Sequence, residues 1–364
     1  MPFKKKVWWY TTFGQVEIIE HRFLKEGHLL RPFCEAAEVT CRGCSLPLER
    51  RITDFGADDS FGKASKKLQE HYGIIIPISA VRTVTLKHGI TIKESETLQA
   101  EMPEKSEIDY IIAEMDGSLI PIVDMADKTK NTEQIDLRKT RKIRWQEARL
   151  ALAHPEGSIT PFFGSTLGKP DEAGDQILHC AIQAGAGSST KIHCVGDGAP
   201  WIPNQTTRVF KSNAQYLVDF YHLCDYVADA SKSCAPDNPL GWFEQQKKSL
   251  KESQSADILR VLEPHLESVS TPDEKAPVRK CHRYIDNRPG QFNYKTAIDA
   301  NLPIGSGEIE SAHRYVIQDR LKIPGAWWKE NNAAKMLALK TLRANNEWED
   351  YWKGRHGTPL EQAA

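Results

Sequence analysis

No run of the chain is apolar for long enough to cross a membrane, which takes roughly 20 residues. The best stretch, GIIIPISAV from Gly73, is short and interrupted by a proline. The opening MPFKKKVWWYTTFG is basic but has no apolar stretch of signal-peptide length, so export is not expected. Charge of one sign is also lacking: 48 Lys+Arg stand against 49 Asp+Glu, a formal net charge of −1. Any grip on a polyanion must then come from local basic patches balanced by acidic surface elsewhere. Cysteines are few and scattered, at 34, 41, 44, 180, 194, 224, 234 and 281, which excludes a disulfide framework and points to a reducing, cytoplasmic compartment. Repeats of solenoid period and low-complexity tracts are absent as well.

What remains is an ordinary globular composition, 27 % charged and 40 % hydrophobic over 364 residues, long enough for two or three modules. Residues 1–57 hold aromatic, alternating stretches such as KVWWYTTFGQVEIIEHRF, which read as strands. Residues 58–104 read as two helices and a charged linker: Asp58, Asp59 or Ser60 caps the first, Gly73 ends it, and Ser79 caps the second. Residues 105–235 alternate strands with helices. IDYIIAEMDGSLIPIVDMA reads as two strands around a tight turn at Asp116-Gly117-Ser118, DEAGDQILHCAIQAGA as a helix, KIHCVGDGAPWI as a buried strand, and NAQYLVDFYHLCDYVADA as a strand entering a helix. Residues 236–301 carry only helical periodicity, and 302–364 are strongly helical. The pattern is that of an interrupted α/β core.

Two strands share one design. In IIAEMDG and HCVGDGA an apolar run delivers a single aspartate, Asp116 or Asp197, directly before a glycine. A carboxylate there, with close backbone approach allowed by the glycine, suits a hard cation. A third carboxylate is available in GSGEIESAH, where Glu310 opens a helix; Glu308 is its rival, and the two differ by about 200° around a helix, so one alone can face the same ions. Glu114 and Asp124 compete beside Asp116.

The segments WWYTTFG, RPFCEAAEVTCRGCS, TDFGADDSFGKASKKLQEHYGI with its trailing LKHG, MDG, VGDGAPWI, DFYH and PIGSGEIESAHRYVIQDRLKIPGAWW together resemble the ISKra-type transposases of bacterial insertion sequences. The likeness runs from about Trp8 to Trp352. It implies a ribonuclease-H-like core interrupted by an all-α insertion, with an N-terminal helix-turn-helix-like region. It further implies a DDE enzyme in which Asp116, Asp197 and Glu310 converge on two Mg²⁺ (or Mn²⁺) ions roughly 4 Å apart, cleaving DNA and joining its ends. The implied partners are double-stranded DNA, both terminal inverted repeats and target, and further copies of the chain assembled on it, at the nucleoid of a bacterial cytoplasm. Two other readings stay open: a catalytically silent DNA-binding derivative, and a metal-dependent nuclease without strand transfer.

Secondary features follow the same division. His222 in DFYH is placed by the resemblance near the site, on a phosphate or base. RKTRKIR supplies Arg138, Lys139, Arg141, Lys142 and Arg144 with no acid among them, and Arg314, Arg320 and Lys322 follow Glu310; these are candidate phosphate contacts. In the helix pair, Arg82, Lys87 and His88, with Lys63, Lys66 and Lys67, are candidates for reading DNA. Cys41 and Cys44, preceded by Cys34 and His28, have half the spacing of a zinc site and lack the second pair.

Overall fold

The structure is a computed structural model that describes residues 3–39, 41–125 and 140–355. Strands β1 (Phe3–Thr11) and β2 (Gly14–Lys25) pair antiparallel, from Phe3 opposite Arg22 to Thr11 opposite Gly14, and β3 (His28–Leu30) completes a three-stranded sheet. Helices α1 (Pro32–Ala36), α2 (Leu46–Asp58), α3 (Phe61–Tyr72) and α4 (Ile78–Ser95) follow. Ser60 caps α3 by accepting from the Lys63 N–H, and Gly73 ends it in the left-handed region at φ 67°. Helix α4 is entered from Pro77 without a side-chain cap, so Ser79 lies inside its first turn rather than capping it. Leu48, Ile52, Ala64, Leu68, Val81 and Val84 form the core among α2, α3 and α4.

A five-stranded mixed sheet carries the rest. Its strands are β4 (Tyr110–Asp124), β5 (Lys142–Pro155), β6 (Phe162–Thr166), β7 (Lys191–Gly196) and β8 (Ala214–Val218), in the order β6-β5-β4-β7-β8. Strands β4, β7 and β8 are parallel and β5 pairs antiparallel with β6. The expected turn at Asp116-Gly117-Ser118 is absent: β4 runs unbroken for 15 residues, with Gly117 outside the positive-φ region. Pairing of this long strand within the sheet overrides the local turn preference of an Asp-Gly step. Helices α5 (Pro170–Gln183) and α6 (Trp201–Phe210) pack on the sheet through Ile177, Ala181, Ile202 and Phe210, against Ile111, Ala113 and Met115 of β4 and Cys194 of β7.

Strand β8 leads into α7 (Phe220–Cys234), then α8 (Pro239–Lys251), α9 (Ser255–Leu262), α10 (Pro277–Asp286) and α11 (Tyr294–Asp299); residues 236–301 contain no strand. Their shared core joins Leu223 and Val227 to Leu250, Ile258, Leu262, Cys281 and Tyr294. The chain then forms α12 (Gly307–Ala312), a π-helical turn over His313–Gln318, α13 (Asp319–Leu321), α14 (Glu330–Ala344) and α15 (Trp348–Lys353). Two compact units result, each discontinuous: 1–97 with 119–147 and 314–364, and 98–118 with 148–313. No helix among the described residues is long and apolar enough to cross a membrane.

Candidate active site at the ends of the parallel strands

Register places the two aspartates of the sequence pattern. Glu114 on β4 lies opposite Val195 on β7, so Asp116 and Asp197, each two residues on, hold matching positions of adjacent parallel strands. Gly196 lies opposite Val218 on β8, which puts Asp219 at the same level. Three neighbouring parallel strands thus deliver an aspartate to one edge, the place where open α/β sheets bind ligands.

Their surroundings differ. Asp116 has a side chain 29 % exposed, with Oδ1 accepting from the Gly117 N–H at 2.6 Å and Oδ2 lying 3.1 Å from Nε2 of the buried His313. Asp197 Oδ1 accepts from the Ala199 N–H at 2.8 Å. The turn after it is held from three sides: Tyr284 Oη donates to the Asp197 carbonyl (2.6 Å), Arg288 Nε to the Gly198 carbonyl (2.9 Å), and the Gly198 N–H to Tyr216 Oη (3.0 Å). Burial pushes the Tyr216 and Tyr284 hydroxyls well above the ordinary phenol range, so both stay protonated. Gly198 has φ +84°, and a Cβ there would come within 2.6 Å of Tyr284 Oη and 2.7 Å of Arg288 Nε.

Asp219 is buried and turned inward. Its Oδ1 caps α7 through the His222 N–H (2.8 Å) and its Oδ2 accepts from both the N–H (2.6 Å) and Oγ (2.8 Å) of Ser306. His222 packs against the rings of Tyr226 and Tyr284, half-buried.

Helix α12 brings the third carboxylate. Glu310 is exposed, whereas Glu308 lies 3.0 Å from Nε2 of the buried His154 on β5. His313, three residues after Glu310, opens the π-helical turn and is buried, with Nε2 3.1 Å from Asp116 Oδ2. Glu114 accepts from the Ile309 N–H at 2.8 Å. Burial raises the Glu114 pKa to about 8 against the opposing effect of that hydrogen bond, so it sits as a neutral acid at neutral pH. Burial pulls the His154 pKa down, but the adjacent Glu308 carboxylate, the Pro155 carbonyl and the charge of Glu114 outweigh it and leave it raised. Neither His154 Nε2 nor either ring nitrogen of His313 has an aligned hydrogen-bond partner among the described residues.

Carboxylate oxygens of Asp116, Asp197 and Glu310 are the donor type a hard divalent cation takes. Among the described residues, however, no three His, Cys, Asp or Glu side chains already stand together as an ion-holding group.

The basic candidates separate. Arg138 and Lys139 lie outside the described residues. Arg141 stacks 4.3 Å over the Trp327 ring, Lys142 is exposed, Arg314 is exposed and Lys322 half-buried. Arg320 corrects the sequence expectation of a DNA contact. It is 1 % exposed, its guanidinium lies between the rings of Phe61 and Trp328, and Nε donates to the Gly56 carbonyl. Burial lowers its pKa to about 10, which leaves it charged. His88 is likewise interior, held by Glu49 (2.9 Å) and Tyr351 (2.7 Å), with Lys87 on the same Glu49, while Lys63 and Lys67 pair with Asp59. Of the candidates on α4, Arg82 is exposed. Cys34, Cys41 and Cys44 are free thiols whose pKa burial raises, Cys44 to about 12. Sequence reasoning missed His154, His313, Tyr284 and Arg288; a signal was present for His313 alone, three residues after Glu310.

Residues 181–355 match UPF0236, described as an uncharacterised protein family. Two UPF0236 proteins of Caldanaerobacter subterraneus subsp. tengcongensis are each 22 % identical over 298 residues, which is 81 % of this chain and 58 % or 55 % of theirs. A further UPF0236 protein of the same organism is 24 % identical over 156 residues, 43 % of this chain and 31 % of its own length. The chain therefore spans little more than half the length of the first two curated relatives. Among solved structures, a Drosophila P element transposase strand transfer complex aligns over 85 % of this chain and 80 % of that one, at 10 % identity and TM-score 0.29, a likeness too slight to bear on fold or function.

Proposed function

We propose that this chain is a DDE transposase of the ISKra type, with a ribonuclease-H-like core, acting on the terminal repeats of an insertion sequence. The observation that supports this reading is the strand register that sets Asp116 and Asp197 level on neighbouring parallel strands, with Glu310 three residues before the His313 that approaches Asp116. These three carboxylates would hold Mg²⁺ or Mn²⁺. When bound, the ions polarise the scissile phosphate and offset the charge that develops on it.

The chain's own residues set the rest of the geometry. Tyr284, Arg288 and Tyr216 fix the backbone at Asp197-Gly198. His313 lies against Asp116 and His154 against Glu308, and Glu310 is the other acid of α12. Lys142, Arg314 and Lys322 are the phosphate contacts that this reading assigns, with His222 against a phosphate or base.

The test is a labelled duplex carrying the inverted repeat that flanks the gene, incubated with the protein and Mn²⁺ or Mg²⁺. Nicking at the repeat end followed by joining to a second duplex is expected. Nicking without joining would make it a nuclease. A catalytically silent DNA-binding chain is favoured by one observation, that no three ligating side chains stand gathered among the described residues; binding with no nicking in either ion would establish it.

A further inference from the structure

Four carboxylates lie at this edge of the sheet, and two of them, Glu114 and Asp219, are bound to the segment that enters α12. Glu114 is 1 % exposed and Asp219 is 3 % exposed, so each needs partners inside the fold. Both find them in one short segment. Asp219 takes the N–H and Oγ of Ser306, and Glu114 takes the N–H of Ile309. The segment entering α12 is fastened at two further points: the Phe220 N–H donates to the Ile304 carbonyl (2.8 Å), and His193 Nε2 to the Pro303 carbonyl (2.7 Å).

The two glycines of this turn differ in their surroundings. A Cβ on Gly305 would come within 2.8 Å of the Tyr221 ring, which would have to shift, while one on Gly307 meets nothing within 4 Å, and neither has a positive φ.

We propose that Glu114 and Asp219 are positioning residues rather than ligands. By accepting the amides of Ile309 and Ser306 they set the axial position and rotation of α12, and so decide which of its acids faces Asp116. Asp219 also caps α7 through His222, so one carboxylate ties the point where the chain leaves the sheet for the helices of 236–301 to the point where it returns. The significance for catalysis rests on the DDE reading above; the clamp itself does not.

Hydrogen–deuterium exchange across 303–313, on full-length protein without ions or DNA, tests the clamp separately from the reaction. Glu114→Ala should speed exchange of the Ile309 amide, and Asp219→Ala that of Ser306, by about tenfold, the factor one lost buried hydrogen bond implies. Glu114→Gln keeps an acceptor oxygen and should restore protection, an outcome a role in charge alone would not give. If the alanine variants do not fold, Gly305→Ala serves instead: it should loosen the Ser306 and Ile309 amides while Gly307→Ala leaves them protected. Unchanged exchange in folded alanine variants, or equal behaviour of the two glycine variants, overturns the proposal. The expected exchange pattern together with a wild type that cuts no DNA would retain the clamp and reject the transposase.

Discussion

His313 Nε2 stands 3.1 Å from Asp116 Oδ2, a buried imidazole against a part-exposed carboxylate. The approach is close without being an aligned hydrogen bond, so the aspartate is steered rather than tied. Asp116→Asn preserves the shape and a polar atom for His313, and the fold should survive. Under the DDE reading DNA cleavage should fall by about a hundredfold or more, the several kcal/mol an ion's charge compensation supplies. Affinity for the terminal repeat should hold or rise, since one negative charge near phosphates is removed. A large loss of binding, read by fluorescence anisotropy, would make Asp116 a structural residue instead.

Gly198→Ala should be among the more damaging single changes in the molecule. The backbone there has φ +84°, and the new methyl would collide with Tyr284 and Arg288. Strain of this kind costs about 1–3 kcal/mol before the clash is counted. Gly157 is the control, with φ +76° but nothing within 4 Å of a Cβ, so Gly157→Ala carries the strain alone. The difference between the two melting temperatures isolates the contact with Tyr284 and Arg288; no difference would mean that this turn can relax.

The design of β7 is plain in KIHCVGDG, because alternation, apolar content and the Asp-Gly step agree and the strand ends where the glycine allows it. The same Asp-Gly step misleads at Asp116-Gly117. There the strand runs on to Asp124 past the end of its pairing with β7, and a turn signal that is local loses to pairing within the sheet. Strand β5 is hidden for a related reason: RWQEARLALAHP is rich in Ala, Leu and charge and poor in β-branched residues, so its extended form comes from its neighbours. The roles of the acids are hidden most deeply. Glu114 and Asp116 sit on one strand two residues apart, and what separates them is a backbone amide 195 residues away.

Acid should weaken the N-terminal sheet through Glu20. Burial alone would raise its pKa, but Arg22, the Cys34 N–H and Arg31 hold it at about 2, against an ordinary 4.5. The folded chain therefore binds this proton less readily than the unfolded chain. The stabilisation is present above the unfolded value and is lost as pH falls from about 4.5 through about 2. Wild-type melting temperature should drop across that window, and Glu20→Gln should start lower at neutral pH and drop less. Parallel curves would mean that other carboxylates govern the acid limb.

Arg320 should behave as a core residue despite its charge. Its guanidinium sits 4.7 Å from the Phe61 ring centroid and 4.8 Å from that of Trp328. Arg320→Ala removes both contacts and the bond to Gly56, and should destabilise the protein by about 2 kcal/mol or more. The salt dependence of DNA binding, measured below the melting transition, should not change. A flatter salt dependence with unaltered melting would return this arginine to the DNA surface.

Lys142, Arg314 and Lys322 make the opposite prediction, and the comparison with Arg320 gives it force. Lys142 and Arg314 are exposed and Lys322 is half-buried. Each cation on a duplex phosphate adds about 0.9 to the slope of log affinity against log salt. The double variant Arg314→Ala/Lys322→Ala should then lower that slope by about 2 and weaken binding to repeat and non-repeat duplexes alike, because phosphate contacts carry no sequence information. Melting temperature should stay near the wild-type value, since neither side chain fills an interior space. Adding Lys142→Ala should reduce the slope by about one further step. A slope that does not move would leave these residues as a solvated face, and a loss confined to the terminal repeat would mean that they read bases rather than backbone.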